Sequence, residues 1–525
     1  MINSQPTAPS YPGSGRWILT AAITASCMAF IDGSALNAAL PAVQRDLQAS
    51  GAGLLWVLNG YLLVLAALVL EGGSLGDRLG RKRVCMAGIG VFALASLGCG
   101  LAPTTSWLIA ARIVQGVGGA LLIPGSLALI SAGFPADQRG KAIGTWSATT
   151  TLVTLGGPAL GGWLADAGWW RVIFLLNLPL AAAALLVLWH KVPETRDETA
   201  TGTDWTGSAL ATTGLAALTF GLLSAPDRGW GHPLTWGAIG GGVAALALFV
   251  RVESLSKHPM LPLPLFRSRT FSGANLLTLL LYGALTAAML FLSLNLVQLQ
   301  HYSQLQAGLA FMPLAGLISL LSRWAGRRAD AHGPRTLLTT GPLVVAAGFG
   351  WLGHVGLTAG PAEYWTTFFP GLVLFGLGMA LTVVPLTTAV MTAVADHYAG
   401  TASGINNAVA RTAGVLALAL LGAFALTHFA GQLQQRTARL PLSSAARLAL
   451  HQQAGRLGAA TVPASVPAPQ RPAVQTAIGQ AFEDTYQWML WLCAGLALGS
   501  AGVAFWLIPN GRRQTTPNAG AVAAG

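Results

Sequence analysis

Long apolar runs alternate with short polar loops from residue 17 to residue 508. About fourteen runs approach the roughly 20 residues that carry a helix across about 30 Å of hydrocarbon. They cover 17–40, 54–72, 84–102, 107–129, 143–163, 170–189, 207–224, 233–251, 272–298, 305–325, 336–356, 365–389, 402–428 and 486–508. Gly, Thr and Pro interrupt 143–163 and 207–224 most. The pattern predicts an all-α integral membrane protein with fourteen transmembrane helices. The first run is too long for a signal h-region and no small-residue cleavage site follows it, so it reads as a retained helix.

The loops between the runs repeat. Gly73-Ser-Leu-Gly-Asp77-Arg78-Leu-Gly80-Arg81-Lys82 joins spans two and three, and Gly326-Arg-Arg-Ala-Asp330-Ala-His-Gly333-Pro-Arg335 joins spans ten and eleven. Ala136-Asp137…Gly140-Lys-Ala142-Ile-Gly144, between spans four and five, is echoed by Ala395-Asp396…Gly400-Thr-Ala402-Ser-Gly404, between twelve and thirteen. Two echoes in one order predict a duplicated bundle, the plan of many secondary transporters. Spans 1–6 then map onto spans 9–14, with spans 7–8 inserted.

The expected organisation is an N-terminal tail at 1–16, a six-helix bundle at 17–190, linkers and two inserted helices at 191–271, and a second six-helix bundle at 272–510. A tail follows at 511–525. The longest expected non-membrane stretch is 429–485. Gln432 to Leu457 carries Leu and Ala at helical spacing among Arg436, Arg439, Arg447 and Arg456. That reads as an amphipathic surface helix or, more sharply, a lid over the mouth; Val462 to Pro472 is Pro-rich and reads as irregular.

Charge adds orientation. The loops at 76–83, 134–141, 251–269 and 323–335 are basic, whereas 102–106, 299–304 and 355–364 contain no Lys or Arg. The positive-inside rule places the basic loops and both termini in the cytoplasm and 429–485 outside. With 53% hydrophobic and 9% charged residues, the net charge of +12 reflects topology and anionic lipid, not nucleic acid. Cys27, Cys85, Cys99 and Cys493 show no paired spacing and read as small apolar residues. There is no nucleotide-binding GxxxxGK[ST], HExxH, GxSxG or Cys/His cluster, so the sequence predicts neither an enzyme nor an ATP-driven pump, and no metal or other cofactor.

Three charges fall deep within spans. Asp32 lies roughly 22 Å along the first helix and Arg112 roughly 8 Å into the oppositely running fourth, which puts both at one depth. Charges in hydrocarbon pair or face a cavity. An Asp whose charged form an arginine favours and desolvation disfavours suits proton coupling; a fixed structural ion pair is the plainer reading. Arg411 lies roughly 14 Å into span thirteen, with no Asp or Glu in spans nine to twelve to meet it. Glu71 falls at the inner end of span two. Trp56, Asn59, Tyr61, Gln115, Tyr282, Phe291, Asn295, Asn406, Asn407 and Arg411 are candidates for the wall of an amphiphilic pocket. Asp77 is a candidate latch, capping a neighbouring helix N-terminus and pairing with a base beside Gly80. Trp169 and Trp170 read as an aromatic belt.

These motifs resemble those of the major facilitator superfamily, in its fourteen-helix drug:proton antiporter branch. Gly73, Leu75, Asp77, Arg78, Gly80, Arg81 and Lys82 match its cytoplasmic-loop signature, and Leu108-Ile-Ala-Ala-Arg112-Ile-Val-Gln115-Gly116-Val-Gly118 its fourth-helix signature. Gly157-Pro158-Ala-Leu-Gly161-Gly162 matches the antiporter signature of the fifth helix, although Val153 stands where a glycine is often found. Asp32 with Asn37, Ala39, Leu40 and Pro41 is similar to the first-helix signature. The resemblance implies two six-helix bundles plus two inserted helices in a bacterial cytoplasmic membrane, exporting small amphiphilic molecules against entering protons. The lone deep acid, against two bases, is a departure that argues against a strictly cationic substrate. An importer of a polar metabolite and a non-transporting scaffold or sensor are the competing readings. The sequence carries no signature for or against a periplasmic adaptor.

Overall fold

The computed structural model describes residues 15–134, 136–196, 204–256, 259, 261–394 and 399–509, and these contain helices and no strand. The α-helices are α1 (Gly15–Asp46), α2 (Gly51–Leu79), α3 (Arg81–Gly100), α4 (Thr105–Gly133), α5 (Ala136–Asp166), α6 (Val172–Leu175), α7 (Asn177–Lys191), α8 (Trp205–Arg228) and α9 (Pro233–Leu255). They continue with α10 (Arg269–Leu294), α11 (Gln304–Ala310), α12 (Met312–His332), α13 (Arg335–Leu352), α14 (Phe368–Thr392), α15 (Ala399–Thr437), α16 (Ser444–Gln453) and α17 (Arg471–Leu507). Helix occupies all fourteen expected positions. Of these, 12 segments are long and apolar enough to cross a membrane among the described residues; α5 and α13 fill the remaining two positions outside that set.

Local chemistry sets the boundaries. Ser50, Thr104, Ser268 and Ser303 each accept a hydrogen bond from a first-turn amide and so start α2, α4, α10 and α11. Span ten is broken into α11 and α12, with Pro313 in the first turn after the break. The sequence echo proves structural at its ends. Gly80 closes α2 and Gly333 closes α12, both at positive φ (108° and 84°), with amides bonded back to Gly76 and Ala329.

The first bundle packs α2 and α3 on α4, and α1 on α5 and α7; the second packs α13 on α14 and α10 on α15 and α17. The inserted pair packs on itself and reaches the bundles through α8 on α2 and α15. Large apolar side chains stand exposed around the outside, among them Leu94, Trp236, Leu320 and Trp506, as a lipid solvent allows.

Segment 429–485 is not the long loop expected from hydropathy. α15 continues to Thr437 and α17 begins at Arg471, because both stay helical beyond their apolar runs and pack on each other. Between them α16 forms within the stretch expected to be an amphipathic helix. The chain after it folds back on the bundle ends: Gln44 donates to Arg456 O (3.1 Å) and Arg456 to Gln48 Oε1 (3.1 Å). Trp170 is a second correction. It is 2% exposed and donates to Asp46, so it anchors the bundle interior, while Trp169 stands exposed.

Candidate functional site: a buried charge network beside a central cavity

Asp32 and Arg112 meet, as the helix arithmetic requires, in an ion pair between Arg112 Nη1 and Asp32 Oδ2. Both side chains are fully buried (0% and 1% exposed), so the pair is removed from water on every side. Burying two charges is tolerable only when their remaining donors and acceptors are met, and here a network meets them. Gln115, one helical turn from Arg112, accepts from its Nη1 (2.7 Å) and donates to Asp32 Oδ1 (2.9 Å). Gln115 also donates to Ser96 Oγ (2.9 Å), which accepts in turn from Asn177 (3.2 Å). Arg112 Nε donates to Val57 O (3.1 Å), and its guanidinium lies 4.3 Å from the Tyr61 ring centroid. The fourth-helix motif thus supplies both a base and the amide that braces it.

A cavity of about 390 Å³ lies between the bundles. α1 gives it a stripe, Phe30, Gly33, Ser34 and Asn37, at the spacing of one helix face. Asp32 and Arg112 are not on its wall. Tyr61 is: one ring contacts the guanidinium and lines the cavity, so it separates the charge network from the space. Arg411 also lines it, from α15, which packs on α2.

Of the ten sequence candidates, Tyr61 and Arg411 reach this wall. Gln115 belongs to the charge network. Phe291 is core, and Trp56 and Tyr282 pack against the same core. Asn59 and Asn295 are fully buried off the wall, Asn295 at the start of a π-helical turn. Asn406 ties α15 to α10 by donating to Asn275 (3.2 Å) and Thr278 (2.7 Å), and Asn407 is exposed, donating to Ser403 O in its own helix. Polar side chains deep in a span are equally needed for stitching helices together, which composition alone does not distinguish from a lining role.

The fifth-helix motif sits where the bundles meet. A Cβ on Gly161 would come within 2.0 Å of Ala35 O, and one on Gly162 within 2.2 Å of Gln304 O. One face of α5 therefore touches the α1 backbone, and the adjacent face touches α11 of the second bundle. Beyond the motif, Asp166 accepts hydrogen bonds from the amides of Gln304 and Leu305 (both 2.8 Å), capping α11 from the other bundle. Gln298 donates to Gln44 Oε1 (2.8 Å) and Ser293 to Asn37 O (3.1 Å), so the end of the bundles opposite the basic loops is tied shut. The sequence reading missed Asp166, although an acid four residues past Gly162, ending a helix, is a visible cue.

At the basic end the side chain of Asp77 lies outside the described residues, as does that of Asp330. There Glu194, in the linker after α7, caps α3: its carboxylate accepts from the amides of Lys82 (2.9 Å) and Arg83 (3.1 Å). Arg81 N donates to Thr195 O (2.8 Å). A Cβ on Gly80 would fall 2.6 Å from the Glu194 carboxyl carbon, so this loop demands glycine for space as well as for φ.

The model of the Major Facilitator Superfamily matches residues 22–419. The chain belongs to that superfamily. Over 396 residues it is 34% identical to the multidrug resistance protein Stp of Mycobacterium tuberculosis, covering 75% of this chain and 73% of the relative. Over 480 residues it is 30% identical to the tetracenomycin C resistance and export protein of Streptomyces glaucescens, covering 91% and 88%. Among solved structures, an inward-facing, unoccupied bacterial homologue of the lysosomal transporter Spinster superposes with a TM-score of 0.65 at 16% identity, over 94% of this chain and 98% of that one. This superfamily member is accordingly a multi-pass membrane transporter by fold and kinship, and not an enzyme.

Proposed function

We propose that the protein exports drugs or other amphiphilic small molecules across a bacterial cytoplasmic membrane in exchange for protons. In this reading the chain crosses fourteen times and the basic loops and both termini are cytoplasmic. The closed end is then external. The observation that carries the reading is the buried Asp32–Arg112–Gln115 network, parted from an apolar cavity by the Tyr61 ring. Resistance and export proteins among its relatives support the direction of transport.

Coupling requires one group whose protonation disfavours substrate. When the external end opens, water reaches Asp32, which takes a proton; its pairing with Arg112 lapses, leaving that guanidinium to Gln115 and Val57 O. With the pair broken, α1 and α4 lose the contact that braced them, the cavity wall shifts, and substrate leaves outward. Release of the proton inward restores the pair. Burial supports this role, since a charge pair with no water around it responds strongly to the loss of one charge.

The test uses purified protein in sealed vesicles with an imposed pH difference and ethidium, Nile red and naphthaleneacetate as cationic, neutral and anionic probes. The reading expects uphill movement of at least one probe that a protonophore abolishes. Movement of every probe only down its own gradient would reduce the protein to a facilitator, and movement of none would leave the scaffold reading.

A further inference from the structure

The charge network accounts for two of the three intramembrane charges and leaves Arg411. It sits about 18 Å along α15 from Ala399, close to mid-bilayer in a core of about 30 Å. Arg411 lines the cavity and is the one charged residue there among the described residues. It has no hydrogen-bond or ion-pair partner among the described residues, in contrast to Arg112, which has three. The surrounding wall is mostly apolar: Phe30, Ile123, Met289, Phe311, Ile318 and Met379.

An unpaired cation in such a place is costly and is kept where something pairs with it in use. The nearby acids are not available. Asp32 is behind Tyr61 and committed to Arg112 and Gln115, and Glu71 engages Ser208 at the start of α8. Tyr61 touches the Arg112 guanidinium and lines the same cavity as Arg411. An organic cation entering this cavity would find an unscreened positive charge and no exposed carboxylate. An anion would find a planar fork of donors suited to a carboxylate, with apolar walls for the rest of the molecule.

We propose that the cavity binds monoanionic amphiphiles, carboxylates above all, with Arg411 as their counter-ion. This rests on the export reading only in taking the cavity as the substrate site. It also explains why the second bundle carries no deep acid of its own: the substrate supplies it. At about 390 Å³ the cavity suits a drug-sized molecule with one charged end.

The experiment is equilibrium binding to the full chain in lipid nanodiscs, with no gradient present. The probes are three near-isosteres: naphthaleneacetate, its neutral amide, and naphthylethylamine as the cation. The wild type should bind the anion roughly tenfold or more tighter than the amide, and the amine weakest. Arg411→Gln should bring the anion down to the level of the amide while leaving the amide unchanged. Arg411→Lys should keep part of the preference, because the charge remains and the fork is lost. A preference for the amine, equal binding of the anion to Arg411→Gln, or no binding of any probe would each overturn the proposal; if the Gln variant does not fold, the Lys variant binding the anion no less tightly than wild type does so. Anion preference in nanodiscs without pH-driven movement in vesicles would sink the export reading and leave this one standing. pH-driven movement of cations alone would do the reverse.

Discussion

Asp166 offers the sharpest view of how the two bundles hold one another. Its carboxylate receives two amide hydrogen bonds of 2.8 Å at the N-terminus of α11, reaching from the last residue of α5 into the other bundle. Asp166 is exposed, so each bond falls at the low end of the usual range, and the helix dipole adds a modest term. Asp166→Asn keeps one acceptor and loses the charge, which should cost about 1 kcal/mol; Asp166→Ala should cost about 2 kcal/mol. Those values weaken closure of that end by roughly fivefold and thirtyfold. The backbone contact of Gly162 with Gln304 survives both changes, so the closed state should persist as a smaller population. Spin labels at the exposed positions Ser106 and Ala359, one on each bundle, would report the distance across this end by pulsed electron resonance. The expected result is a growing long-distance component from wild type to Asn to Ala. Superimposable distance distributions in all three would show that the cap does not bias closure, and the reasoning would be wrong.

Glu194→Ala should strip the cap from α3 and lower the melting temperature of purified protein by about 1–2 °C, read by intrinsic fluorescence; an unchanged melt would make the contact incidental. Gly161→Ala should sharply reduce the monodisperse yield on size exclusion, because the new methyl meets Ala35 O, whereas Gly156→Ala, with open space around it, should behave as wild type; equal yields would refute backbone contact between α1 and α5. Leu79→Cys and Leu448→Cys, both on exposed side chains at opposite ends, should be labelled from the cytoplasmic and external faces respectively, and labelling from one shared face would overturn the topology.

What the sequence made legible depended on whether a feature was local. The Asp32–Arg112 pair could be anticipated because helix rise and span direction fix depth, and two opposite charges at one depth in hydrocarbon have few other options. Gly80 and Gly333 were legible because a tight helix-to-helix turn selects glycine at a fixed offset from the apolar run. The cavity wall was not. Asn295, Asn406 and Phe291 sit at depths as suitable as that of Tyr61, and only the rotation of each helix against its neighbours decides which of them meets open space. Nor was the identity of the capping acids: Glu194 and Asp166 act on helices that are 111 and 139 residues away in sequence. Segment 429–485 misled because hydropathy marks where a helix leaves lipid, while packing between α15 and α17 decides where it ends.

The central claim is that Asp32 carries the coupling proton, and its most direct test is Asp32→Asn in sealed vesicles under an imposed pH difference. The carboxamide keeps the shape and one acceptor, enough for the bond from either Arg112 or Gln115, so the fold and the cavity should survive. The account predicts that this variant no longer accumulates any probe against its gradient yet still exchanges probe downhill. Uphill accumulation at the wild-type rate would place the coupling site elsewhere and contradict the account.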